Sequence, residues 1–278
     1  MNKKIAITVS IYVIIQILIG IVIPEQSVYL PEIMLAINLL LGSIWAFRIF
    51  GWKRSVILIV LSFVITIALE NISTVTGFPY GVFRHSLPGP WIGNVPVAVG
   101  FVYFPFVTLG WVYGDLIVTH IRASDSTKRI VRILLAMLVV GSVEALYDPV
   151  GCLVLNRWEY PDGGGVFGVP LTNALGWMLN TGLTIVLYEA IIEKKSNADI
   201  KAERHHVHIL WLLAIQPIPQ LIGRFALANQ TLYDSTGKAW GLVDLFDTLG
   251  IFGLMMMGML VLFGSIAYLW IGQSELTE

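Results

Sequence analysis

The sequence predicts an all-α fold: a polytopic integral membrane helix bundle of about eight transmembrane helices, forming a single transmembrane domain over residues 1–278. Three observations predict it. The chain is 56% hydrophobic and 13% charged, whereas soluble domains carry roughly 25% charged residues, and its mean hydropathy is +0.79. Eight apolar runs approach or exceed the ~20 residues that cross a bilayer as helix. The basic residues divide unequally between alternate connections. Helices rather than open strands follow because lipid offers no partner for a free backbone N–H or C=O.

The runs follow in order. Ile5–Ile23 comes after Met1-Asn2-Lys3-Lys4; it lacks a small-residue cleavage site and is long enough to span, so it reads as a retained first helix. Next come Ile33–Phe50, the short Ser55–Glu70, Val95–Val118, Ile130–Val154, Val166–Ile192 and Val207–Leu227. Leu242–Ile271 is long enough to tilt or to break at Gly250 or Gly253. With the N-terminus in the cytoplasm, 13 of the 17 Lys and Arg fall on the cytoplasmic side. Only Arg84, Arg157, Arg224 and Lys238 fall outside. A multi-pass protein of the cell membrane with both termini cytoplasmic is expected. The polar segment Glu193–His206 reads as a cytoplasmic connection. A net charge of −1 gives no basic surface for nucleic acid. The single cysteine, Cys152, excludes an internal disulfide and a cysteine metal cluster.

The chemistry concentrates in a core region, residues 55–192, and there in two polar loops. One runs from Glu70 through Gly77-Phe78-Pro79-Tyr80-Gly81-Val82-Phe83-Arg84-His85 to Gly93-Asn94-Val95-Pro96. The other runs from Glu144 and Asp148-Pro149 through Trp158-Glu159-Tyr160 and Gly163-Gly164-Gly165-Val166-Phe167 to Gly168-Val169-Pro170. Glu70 precedes Pro96 by 26 residues, and Glu144 precedes Pro170 by 26. The matched frames suggest a parallel repeat, 55–118 and 130–192, that supplies two halves of one site. By the charge count both loops face the outer side.

A carboxylate at the edge of hydrocarbon is costly, which makes Glu70, Glu144 and Asp148 the candidate catalytic acids. Glu144 and Asp148 are four apart and share a helix face. Pro149 disfavours helix at Asp148 and can open the chain there. Hydrocarbon surroundings favour the neutral acid, which can then donate a proton near pH 7. The aromatics Phe78, Tyr80, Phe83, Trp91, Trp158, Tyr160 and Phe167 fit either an interfacial belt or the lining of a long apolar ligand site. In the second role their faces would also stabilise positive charge developing on carbon. Asn173, Trp177, Asn180 and Thr181 form one helical stripe, and Gln216, Gln220 and Arg224 another. Either interhelical hydrogen bonding or a ligand site accounts for them. Asp244 and Asp247 are too sparse for a magnesium-binding cluster. No metal site is assigned: His205-His206-x-His208 lies in the cytoplasmic connection, away from the acids.

At the two loops the sequence resembles the carotenoid hydratase family of bacteria and archaea, whose archaeal branch includes bisanhydrobacterioruberin hydratase. The resemblance is carried by Glu70 with Gly77-Phe78-Pro79-Tyr80-Gly81, by Gly93-Asn94-Val95-Pro96, and by Asp148-Pro149 with Trp158. It continues through Gly165-Val166-Phe167-Gly168-Val169-Pro170-Leu171-Thr172-Asn173 and Gly176-Trp177. It implies addition of water to the terminal isoprenoid C=C of an acyclic carotenoid, giving a tertiary alcohol, with no cofactor. The implied partners are the hydrophobic carotenoid, the lipid bilayer and other carotenoid biosynthesis enzymes. The residues suit that chemistry on their own terms. An alkene is a poor base and needs a poorly solvated acid, an apolar pocket for the chain and a base for water. The candidate substrate contacts are then Phe78, Tyr80, Phe83, Trp158, Phe167, Asn173 and Trp177. Two other classes would use the same features: a transporter with the acids as a proton relay, and a carotenoid-binding protein without catalysis.

Overall fold

The structure, a computed structural model, describes residues 3–119, 122–193 and 208–274. Each of the eight apolar runs contributes helix, with 166–170 of the sixth left in the preceding loop and the seventh divided between two short helices. The helices are α1 (Lys3–Val22), α2 (Leu30–Thr76), α3 (Val97–Val118), α4 (Asp125–Pro149), α5 (Leu171–Glu193), α6 (His208–Ala214), α7 (Ile218–Ala226) and α8 (Leu242–Ser274). A 3-10 turn, Pro24–Tyr29, precedes α2, and a π-helical turn, Val150–Val154, extends α4. Six stretches among the described residues are long and apolar enough to cross a membrane, and α1 contributes a shorter apolar helix, Ser10–Val22. The protein is thus a multi-pass membrane helix bundle.

The first of the six holds two of the predicted spans. As a straight helix the 47 residues of α2 would reach about 70 Å, against a hydrocarbon core of about 30 Å. Gly51 breaks it with non-helical angles, φ 72° and ψ 165°. The Ser55 hydroxyl donates to the Ala46 carbonyl at 2.8 Å. Nine residues of continuous helix would hold those groups about 13 Å apart. The chain therefore turns back at Gly51, and α2 is a helical hairpin. A left-handed residue that only glycine adopts readily makes the corner.

Small residues set the helix spacing, as expected where lipid supplies no hydrophobic drive for helix pairing. A Cβ on Gly110 of α3 would stand 2.8 Å from the Ala136 carbonyl of α4, and one on Gly114 would stand 2.6 Å from that of Arg132. The polar stripes on α5 to α7 make interhelical hydrogen bonds. Gln216 pairs with Asn38 of α2 in both directions, at 3.0 and 2.9 Å, and accepts from Tyr147 of α4 at 2.7 Å. Asn180 of α5 donates to Thr66 and Tyr80. Arg224 pairs with Asp247 of α8 at 2.6 Å.

At the far end of the bundle from the motif loops lies a buried charged cluster. Arg132 of α4 reaches Glu189 of α5 at 2.6 Å and Asp115 of α3 at 3.3 Å, and its guanidinium lies 5.0 Å above the Trp111 ring. Arg129 adds a second contact to Glu189 at 2.7 Å. Arg129 and Arg132 entered the charge count as solvated cytoplasmic groups; they bind three helices together as well.

Candidate active site

The two motif loops meet. Arg84–His85 of the first loop (β1) pairs antiparallel with Trp158–Glu159 of the second (β4), setting His85 opposite Trp158. A second pair of strands, β2 (Trp91–Ile92) and β3 (Val95–Pro96), closes the first loop. Asn71 fixes that closure. Its amide donates to the Ile92 carbonyl at 3.0 Å and its side-chain oxygen accepts from the Asn94 N–H at 2.8 Å. A third hairpin, β5 (Thr231–Tyr233) with β6 (Ala239–Gly241), joins α7 to α8 and covers the second loop. There the Ser235 hydroxyl donates to the Tyr160 carbonyl. Burial works against the Asp234 carboxylate, but bonds from Thr236, Trp240 and Lys238 outweigh it and hold the acid below its ordinary range.

Beneath the loops lies a cavity of about 930 Å³, counting its open mouth. Its walls are mainly apolar, with Leu35 of α2, Val99 and Val102 of α3 and Leu155 beyond the π turn among them. Glu70, Glu144 and Asp148 all face it, and each is 4% exposed. Glu70 lies near the end of α2, under two turns before its Gly77 cap. Glu144 and Asp148 sit one turn apart on one face near the end of α4. Pro149 then changes the helix. The Val150 N–H turns to the Tyr147 carbonyl, and the carbonyl it leaves, that of Leu146, accepts from Gln220 at 3.1 Å. The chain widens into the π turn, a distortion found mostly at functional sites. Asn173, at the start of α5, donates its side-chain N–H to Asp148 Oδ2.

Of the substrate contacts expected from sequence, Tyr80, Phe83, Trp158, Asn173 and Trp177 line the cavity. Trp177 stacks on Tyr103 with ring centroids 3.9 Å apart. Burial holds the Tyr80 and Tyr160 phenols well above their ordinary range, so both stay neutral hydrogen-bonding groups. Phe78 and Phe167 do not line the cavity. Phe78 follows the Gly77 cap where the chain leaves the helix, and it is 60% exposed. Phe167 sits in a tight turn closed between Val166 and Val169 and packs on Trp240, centroids 5.0 Å apart.

Among the cavity residues beyond the sequence-derived set are three that can hydrogen-bond a reactant: His85, Tyr103 and Tyr147. His85 is the most consequential. Its Nε2 lies 2.8 Å from Glu70 Oε2, and the two side chains are 5% and 6% exposed. Its ring meets Phe83 edge-on at 5.0 Å. One signal was available: His85 and Phe83 alternate along an extended segment and so share a face. At the mouth, Arg157 and Glu32 form a half-buried ion pair at 2.6 Å. His205 and His206 lie outside the described residues.

The arrangement places carboxyls, an imidazole and phenols on the lining of one mainly apolar chamber. It can protonate a hydrocarbon and accept a proton from a polar reactant in the same space. No curated protein and no solved structure matches the chain. A family model described as carotenoid biosynthesis protein matches residues 28–229, a stretch that holds every cavity residue named above. The chain therefore belongs to the carotenoid biosynthesis protein family.

Proposed function

We propose that this protein is a hydratase of carotenoid biosynthesis, which adds water to the terminal isoprenoid C=C of an acyclic carotenoid, bisanhydrobacterioruberin or a relative, to give a tertiary alcohol. The supporting observation is one cavity with mainly apolar walls whose lining includes three buried carboxyls. In the reaction an acid gives a proton to the less substituted alkene carbon. The alkene π pair forms the new C–H bond and leaves a tertiary cation. Aromatic side chains such as Tyr103 and Trp177 line the cavity, and their faces would stabilise that charge. Water attacks the cation, a base takes its extra proton, and the sum is alkene plus water. Glu70, Glu144 and Asp148 are the acids and bases of this scheme.

The test is co-expression with an acyclic carotenoid bearing terminal isopropylidene groups. The expected product is heavier by one or two waters and forms without oxygen gas. Growth in oxygen-labelled water should place the label in the new hydroxyl. Label arriving from oxygen gas makes the protein an oxygenase. Pigment bound but unchanged makes it a binding protein, and pigment or another solute moved across the membrane makes it a transporter.

A further inference from the structure

We infer that His85, held by Glu70, is the base that binds and deprotonates the attacking water, while the Glu144–Asp148 pair supplies the proton to the alkene. This inference rests on the hydratase reading and adds a catalytic residue and a division of labour to it.

Four buried polar atoms on cavity-lining residues have no hydrogen-bond partner: His85 Nδ1, Tyr103 Oη, Glu144 Oε2 and Trp158 Nε1. Buried polar groups in folded proteins are nearly always paired, so four orphans around one chamber ask for a small polar guest. His85 and Trp158 are direct cross-strand partners, so their side chains leave the ribbon on the same face. Water is the polar reactant of the proposed chemistry, and this face offers it an acceptor, Nδ1, and a donor, the indole N–H.

The imidazole has its direction fixed. With Glu70 as the carboxylate, which only accepts hydrogen bonds, the 2.8 Å contact is donated by Nε2–H and leaves the lone pair on Nδ1. A carboxylate behind a histidine orients the ring and stabilises the imidazolium that forms when it takes a proton. Glu70 is then a positioning residue, and His85 touches the reactant. The other pair has the opposite character. Asp148 Oδ2 already accepts from Asn173, and two carboxyls buried one turn apart on one helix face are held most cheaply with a proton shared between them. The pair holds that proton, and Glu144, with Oε2 unpartnered, presents it to the cavity. The steps balance. The proton of the pair and the alkene π electrons form the C–H bond. A water lone pair forms the C–O bond, and the released proton goes to Nδ1. From the imidazolium it returns to the carboxyl pair, directly or through water, and no other reactant is consumed.

The experiment compares His85→Gln, His85→Asn, Glu70→Gln and the double variant H85Q/E70Q in membranes holding the acyclic carotenoid. Hydrated product and bound pigment are both measured. The expected loss of rate in either His85 variant is about 10²–10⁴-fold with pigment still bound. Residues acting as one unit are non-additive, so the double variant should be no slower than its slower parent. Losses that multiply in the double variant overturn the dyad. Near-normal rates in both His85 variants overturn the base. Loss of pigment binding in both makes His85 structural and overturns it as well. If the unaltered protein makes no hydrated product, the hydratase reading itself has failed; if it does, only the assignment of His85 is at stake.

Discussion

Replacing Asp148 by Asn separates chemistry from folding at this site. Asp148 is buried, and its Oδ2 accepts from Asn173. An amide has the same shape and can turn its own carbonyl to accept that bond, so packing on the π turn is kept. At worst one hydrogen bond is lost, about 1 kcal/mol net, which is small against the 5–15 kcal/mol that holds a typical fold. The loss of a transferable proton is larger. General acid–base assistance is worth about 10²–10⁴-fold, which corresponds to about 2.7–5.4 kcal/mol of barrier. Rate should therefore collapse while the protein inserts, melts and binds pigment nearly as before. Hydrated carotenoid per unit of membrane-inserted protein is the assay, with thermal melting alongside. An Asp148→Asn variant that keeps more than about a tenth of the normal rate would refute the acid–base reasoning. A rate loss that merely follows loss of folded protein would refute it equally.

Glu70→Gln should likewise nearly abolish hydration, whereas His206→Ala should retain most of it; the reverse pattern in rates would put the site at the other membrane face. Reporter fusions at Lys195 and Gly164 should report opposite sides of the membrane, and same-side signals would overturn the orientation drawn from the basic residues. Gly151→Ala would place a methyl 2.6 Å from two carbons of the Trp158 ring. It should displace that indole, cost about 1–3 kcal/mol in melting, and slow hydration more than it weakens pigment binding. Arg132→Ala leaves Glu189 and Asp115 without their main buried partner and should cost about 3 kcal/mol, the lower end for such pairs because the guanidinium is 19% exposed. Asp234 is held below its ordinary range, so its support of the β5–β6 hairpin is full above the unfolded value near 4 and fades as the pH falls through the folded one. Amide exchange in that hairpin should accelerate in acid, and Asp234→Asn should remove the dependence.

Much of this architecture was legible because hydropathy and helix length speak directly to a bilayer. Every apolar run contributes helix, and the two carboxylate-bearing loops converge on one cavity. The corner at Gly51 was half legible: the gap between Phe50 and Ser55 carried basic residues but no turn signature beyond a single glycine. Loop contents were less so. No periodicity distinguishes Phe83, which faces the cavity, from Phe78, which faces away, because each orientation depends on a few irregular backbone angles. The pairing of β1 with β4 joins residues more than 70 positions apart, and nothing in either dipeptide specifies that register. The Arg132, Asp115 and Glu189 cluster escaped notice for a different reason. Charges near helix ends are most simply read as solvated, and only the tertiary packing of three helices turns them inward.

The one-sided placement of the cavity bears on the order in which a symmetrical pigment would be processed. A carotenoid long enough to cross the bilayer presents its two tips to opposite faces, while this chamber opens beneath loops at a single end of the bundle. Under the proposed reaction each visit would then modify one tip. The half-modified molecule would carry a hydroxyl that anchors it among the lipid headgroups on that side. A second visit would require the pigment to turn over, drawing that hydroxyl through hydrocarbon. A hydratase of this shape would release the mono-alcohol as a distinct intermediate, and the balance between mono- and di-alcohol would depend on lipid composition as well as on the protein.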